Sequence, residues 1–282
     1  MIVDVALLPS LALELEKKVA VVVDGLRAST TLITMFEQGA PSVIVADGPQ
    51  DVFRLTADQR DRFWLCGEVG GRPEEGYDFG NSPSQISRHD LAGRAVVFST
   101  SNGTRALMAV ADAAAVLVGA GRNARAVAVK ALNAAERLTV DITLVCAGDE
   151  QGTLFSLEDA FFAGCIVEQL AGLRPFGWPV DESEPGAGDP STWILDESAV
   201  LVRRLVRSYL SAGSQDMVNP RTVGLMPNAA DVMKMFQDAR NGQSLPRIGY
   251  VDDLAYCAAL DQSEVVPLLS RRDGRFVLTV QG

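Results

Sequence analysis

Asp24 and Arg27 stand three residues apart, and Ser29, Thr30 and Thr31 follow at once. An acid, an arginine and a run of hydroxyls at the head of a helix is the chemistry of a cation and phosphate site. A carboxylate offers Mg²⁺ a hard oxygen ligand, and a guanidinium can grip phosphate oxygens in pairs beside the free N–H groups of a helix N-terminus. The same residues also suit a plain capping turn, with Ser29 or Asp24 satisfying backbone donors and Arg27 paired on the surface. Taken alone, the stretch supports both readings equally.

Three further stretches have the same double character. Gly67 to Pro83 is crowded with Gly, Pro and Asn and carries Glu68 just past an apolar run, so it is either a ligand loop or an irregular surface loop. Ser99 to Arg105 holds Asn102, Gly103, Thr104 and Arg105, the composition of a nest of backbone N–H groups for an anion and equally that of an ordinary Asn-Gly turn. Cys146-Ala147-Gly148 is followed by Ser156, Glu158 and Asp159. Ser156 and Asp159 have capping-box spacing, which explains Asp159 better than Glu158.

The elements that must position these residues are legible in the apolar pattern. Val19 to Val23 is a continuous β-branched run, of the kind found in strands covered on both faces, and Ser29 to Gln38 has helical spacing. The unit of strand, polar loop and helix recurs from Ala95 to Phe98 and from Ile142 to Val145. Shorter strands are expected at 42–46, 63–66 and 115–119. The expected fold is therefore α/β, three layers of α/β/α around a mostly parallel or mixed sheet, whose polar loops at strand ends share one crevice. From Leu173 to Trp193 the chain is rich in Pro, Gly and acids, which reads as a long loop. A boundary near 173–195 would divide the single 1–282 domain into two closely packed lobes. Beyond it, Asp196 to Leu210 reads as a helix capped by Asp196, Asp253 to Ala259 as a short helix, and Phe276 to Val280 as a final strand.

Composition removes several classes. A net charge of −11 disfavours nucleic-acid binding, and the longest apolar stretches fall well short of the roughly 20 residues of a membrane span. The four cysteines form no CxxC pair, and the sole histidine, His89, cannot supply a multi-histidine metal site. The N-terminus lacks the basic and apolar regions of a signal peptide, so a cytoplasmic protein is expected. A homo-oligomer is compatible with the sequence.

Taken in order, DGLRASTT, GEVGG with YDFGNSP, STSNGTRAL, CAG with SLEDAFFAG, and GYVDDLAYCAALD followed by VVPLL resemble the 2-phosphosulfolactate phosphatase family from Val19 to Leu269. The resemblance implies a Mg²⁺-dependent phosphatase with a family-specific α/β fold, acting on phosphosulfolactate, a small anionic metabolite, in coenzyme M biosynthesis. It points to Asp24, Arg27, Glu68, Asn102, Gly103, Thr104, Arg105, Glu158 and Asp159 as site residues. Where the family pattern reads Gly-Glu-Arg-Gly-Gly this chain has Val69, so an arginine is missing there, with Arg72 as the nearest replacement. The expected division of labour gives Mg²⁺ to Asp24, Glu68 and Asp159, the base to Glu158, and the substrate to Arg27, Ser29, Thr30 and the loop from Asn102 to Arg105.

Rival readings are weaker. Cys66 to Arg72 matches the Cys-x5-Arg loop of cysteine-dependent phosphatases, but Glu68 sits inside it and Pro73 follows, where a thiolate needs positive surroundings. An aspartyl-phosphate mechanism on Asp24 lacks its second Asp, since Leu26 stands there. A non-catalytic anion-binding module gains nothing from so many acids unless a cation bridges them.

Overall fold

The computed structural model describes residues 1–174, 176–177, 193–211 and 224–280. The described strands are β1 (Ile2–Ala6), β2 (Lys18–Val23), β3 (Val43–Val45), β4 (Phe63–Gly67), β5 (Ala95–Ser99), β6 (Ala115–Gly119), β7 (Asp141–Cys146), β8 (Phe176–Gly177), β9 (Trp193–Leu195), β10 (Leu268–Arg272) and β11 (Arg275–Thr279). They join one sheet in the order β4-β5-β3-β11-β10-β6-β2-β7-β1-β9-β8. The helices are α1 (Ala28–Glu37), α2 (Pro49–Thr56), α3 (Pro83–Ile86), α4 (Gly103–Ala109), α5 (Ala124–Leu138), α6 (Leu157–Leu173), α7 (Glu197–Tyr209), α8 (Ala229–Asp238), α9 (Arg240–Arg247) and α10 (Val251–Ala258).

Residues Val19 to Val23 of β2 are buried throughout, and their alternation feeds two layers. Val19, Val21 and Val23 pack with Val127 of α5 and with Phe162 and Ile166 of α6, while Ala20 and Val22 face Leu32 and Met35 of α1 and Leu107 of α4. A period of two along the strand therefore sets helices on both faces, which is the three-layer α/β/α fold expected.

The sheet is mixed for one reason. β10 and β11 form a hairpin that pairs antiparallel with β6 on one side and β3 on the other, whereas the remaining pairings are parallel. The hairpin reverses strand sense between the two halves. Loops from both halves nevertheless meet, as sheet twist of about 20–25° per strand permits.

The expected helix at 196–210 is α7, although Asp196 makes no side-chain cap bond and its Oδ2 instead accepts from Ser198. Most of the expected loop at 173–193 lies outside the described residues. Among the described residues, no helix is long and apolar enough to cross a membrane.

Candidate active site

The loops after β2, β4, β5 and β7 line one cleft of about 290 Å³, walled on its remaining side by α9. Asp24, Arg27, Glu68, Asn102 and Asp149 come from the strand loops, and Arg240, Asn241 and Ser244 come from the helix.

Asp24 ends the buried run of β2 and begins the turn into α1. Its Oδ1 accepts from the Ala28 amide at 3.1 Å, and its own amide donates to Ser29 Oγ at 3.0 Å. The capping turn and the site are thus one device, because capping holds one carboxylate oxygen and leaves Oδ2 without a protein donor among the described residues. Burial pushes the Asp24 carboxyl up to about 7, and the nearby charges of Glu68 and Glu158 push the same way, against the Ala28 amide and Arg27. Gly103 makes the approach of the next loop possible. A Cβ there would lie 2.7 Å from Asp24 Oδ2 and 2.6 Å from the Ala28 methyl.

Glu68 ties two loops together while facing the cleft. Its Oε1 accepts from the Ser101 amide at 2.8 Å, and its Oε2 accepts from the Gly71 amide at 2.6 Å and Ser101 Oγ at 3.2 Å. Arg27 is buried, not on the surface. Its Nη1 donates to Asp253 Oδ2 at 2.8 Å, its Nη2 to the Gly71 carbonyl at 3.0 Å, and its guanidinium stacks 4.3 Å from the Tyr250 ring centre. Asp253, from α10, is in turn held by Ser82 Oγ at 2.7 Å and by the Ser84 hydroxyl and amide.

Several expected residues turn away from the cleft. The Ser29 hydroxyl donates to the Val22 carbonyl, Thr30 Oγ1 to the Gly25 carbonyl, and Thr104 Oγ1 to the Thr100 carbonyl, so these hydroxyls satisfy their own turns. Arg105 faces a neighbouring hollow and pairs with Asp47 at 3.5 Å. Asp159 is buried beside the site, with Oδ1 accepting from the Gly25 amide and Oδ2 from the Gly148 amide, both at 3.0 Å. Its amide donates to Ser156 Oγ at 3.2 Å, but its carboxylate oxygens are taken by the Gly25 and Gly148 amides instead of the Ser156 amide, so only half of the expected capping box forms. Glu158 is 1% exposed and, among the described residues, is linked to the cleft lining by Asn241, whose Nδ2 donates to Glu158 Oε1 at 2.7 Å. Burial raises both carboxyls, and for Asp159 the charges of Asp24 and Glu158 add to it.

Arg72 is exposed and Val69 half-exposed, and neither lines the cleft. Cys66 is fully buried, burial raises its thiol, and its Sγ donates to the Gly80 carbonyl at 3.1 Å. That setting is the opposite of the exposed, electropositive one that a thiolate nucleophile needs.

Sequence reasoning missed Asp149, Arg240, Asn241 and Ser244. The helix that carries the last three holds Gly242 and Pro246, residues that argue against a helix when read locally. Packing overrides them, since a Cβ at Gly242 would fall 2.1 Å from the Phe236 carbonyl oxygen and α9 could not seat on α8.

Among the described residues, no three His, Cys, Asp or Glu side chains form a ready-made metal cluster. Mg²⁺ does not need one, because it commonly takes one or two carboxylates and completes its shell with water and substrate oxygens. Asp24 and Glu68, two carboxylates on one cleft wall, fit that requirement.

The sequence profile described as 2-phosphosulpholactate phosphatase matches residues 7–212. A protein of Symbiobacterium thermophilum named probable 2-phosphosulfolactate phosphatase is 33% identical over 94% of this chain and 96% of its own length. Proteins of the same name from Caldanaerobacter subterraneus and Deinococcus radiodurans are 31% and 32% identical, over 91% and 89% of this chain and 89% and 87% of their own lengths.

Proposed function

This chain belongs to the 2-phosphosulpholactate phosphatase family, a family of phosphoric monoester hydrolases, and we propose that it releases phosphate from 2-phosphosulfolactate or a closely similar phosphorylated 2-hydroxy acid with Mg²⁺ as cofactor. The observation that carries this reading is the cleft itself, where, among the described residues, Asp24, Glu68, Asp149 and Glu150 face two guanidiniums, Arg27 and Arg240. A phosphorylated acid could not enter so acidic a wall unless a cation entered with it.

Asp24 and Glu68 are the residues that would hold Mg²⁺, and the bound ion would neutralise phosphoryl charge and lower the pKa of an attacking water. Asp159 works one layer back, pinning the Gly25 and Gly148 amides so that the loops after β2 and β7 keep their spacing. Arg27, locked by Asp253, presents a guanidinium that need not be reorganised when the phosphate arrives, which is how a preorganised clamp stabilises a developing charge. Glu158 orients the Asn241 amide against the cleft. The cleft is at the small end of ligand pockets, roughly 300–1,000 Å³, which suits a C3 or C4 acid.

Inorganic phosphate release from a panel of phosphorylated C3 and C4 hydroxy acids, with Mg²⁺ and with chelator, tests the reading. Metal-dependent turnover of at least one 2-phospho acid is expected. Equal turnover in chelator would remove the cofactor, and no release from any ester would remove the phosphatase.

A further inference from the structure

The two guanidiniums of the cleft are not equivalent. Arg27 is 3% exposed and committed to Asp253, to the Gly71 carbonyl and to the Tyr250 ring. The Arg240 side chain is 61% exposed, and its one polar partner among the described residues is Asp149 Oδ2 at 3.1 Å. Asp149 does not depend on that contact, because its Oδ1 already accepts from the Glu150 amide at 2.9 Å and faces Asn102 Nδ2 at 3.5 Å. An exposed ion pair of this kind holds little net free energy, so the guanidinium can leave Asp149 for a better anion.

Position supports the exchange. Arg240 and Ser244 are four residues apart on α9, hence on one helix face, and both line the cleft, with Asn241 beside them held by Glu158. That wall stands on a different element from Asp24, Glu68 and Arg27, which come from the loops after β2 and β4 and the start of α1. Two cationic grips on separate elements suit a substrate with two anionic ends. The fixed, buried one matches the group undergoing chemistry, and the adjustable one matches a planar carboxylate or a sulfonate that only has to be recognised.

Resting on the phosphatase reading above, we infer that Arg240 is a specificity-determining residue: it exchanges Asp149 for the second anionic group of the substrate, a carboxylate or sulfonate on the carbon skeleton. Substrates lacking that group forfeit the contact and leave Arg240 on Asp149. The segment that reads the substrate's tail is then α9, which lies beyond residues 7–212, the part matched by the family profile.

The test compares wild type, Arg240→Ala and Arg240→Lys on three esters with the same three-carbon skeleton: 2-phosphosulfolactate, 2-phospholactate and isopropyl phosphate, which carry two, one and no additional anionic groups. The ratio of kcat/KM for 2-phospholactate over isopropyl phosphate reads the carboxylate, and that for 2-phosphosulfolactate over 2-phospholactate reads the sulfonate. Arg240→Ala should lower at least one ratio tenfold or more through KM, and Arg240→Lys should lower it less, since an ammonium keeps the charge without the fork. Because these are ratios within one variant, a general loss of folding or chemistry cancels. Both ratios staying within twofold of wild type would overturn the assignment while leaving the phosphatase reading intact. A wild-type protein inert on all three esters and on the wider panel would overturn both.

Discussion

The Arg27 guanidinium and the Asp253 carboxylate, 226 residues apart in sequence, meet at 2.8 Å with side chains 3% and 0% exposed. Strand loop and C-terminal helix are thereby joined directly beneath the cleft. Both charges are satisfied, Arg27 by Asp253 and Gly71, Asp253 by Ser82 and Ser84 besides.

Removing one member of such a pair leaves the other buried and unpaired. Asp253→Ala should therefore cost about 3–5 kcal/mol in denaturant unfolding. Asp253→Asn keeps the shape and an acceptor oxygen for the serines but loses the charge, so it should fold with a smaller loss. Its kcat should still drop on the order of tenfold or more, because a clamp that has to reorganise stabilises the transition state less. A well-folded Asp253→Asn with wild-type kcat would show that Arg27 needs no aiming.

Asp24→Asn tests the metal assignment. The amide can still accept from the Ala28 amide, so the capping turn should survive, while a neutral oxygen is a poor partner for Mg²⁺. Turnover should fall on the order of 100-fold or more, and the Mg²⁺ concentration for half-maximal activity should rise. Arg27→Ala should instead lower kcat with little change in that concentration. Near-normal turnover of Asp24→Asn at the original Mg²⁺ concentration would reduce Asp24 to a capping residue.

Cys66→Ser should retain most phosphatase activity, and a chelator should abolish it. The buried thiol that donates to the Gly80 carbonyl is replaced by a hydroxyl able to do the same. The opposite pattern, an inert serine variant and a chelator-resistant enzyme, would restore the cysteine mechanism.

Stability of the metal-free protein should fall as pH rises. Burial holds Asp24 up to about 7 and raises Glu158 and Asp159, whereas in the unfolded chain such carboxyls ionise near pH 4. Between those values the folded form binds protons that the unfolded form has released, so each step upward in pH favours unfolding. Denaturant midpoints of chelated protein should decline from about pH 5 to about pH 8, and Mg²⁺ should recover part of the loss at the upper end by taking over the charge on Asp24. A midpoint that climbs across this range would contradict the burial argument.

The repeated passage from an apolar run to a polar loop to a helix was legible in the sequence because it is local. Val19 to Val23 has no alternation to expose, so it must be covered on both faces, and the acid that ends it must sit at a strand end. Asp24, Glu68 and Asn102 could be named on that ground alone, together with the family that the ordered motifs resemble. Which chemistry-bearing side chains face the cleft was decided by partners far away in the chain. Asp159 is occupied by the amides of Gly25 and Gly148, and Arg27 is drawn inward by Asp253. Thr104 bonds its own turn, and Arg105 faces a neighbouring hollow. Arg240 could not be found by pattern, since α9 carries a glycine and a proline and its packing on α8 and α10 is not visible locally. Sequence order determines which residues are available at strand ends, whereas long-range hydrogen bonds and packing decide which of their atoms remain free to meet a substrate.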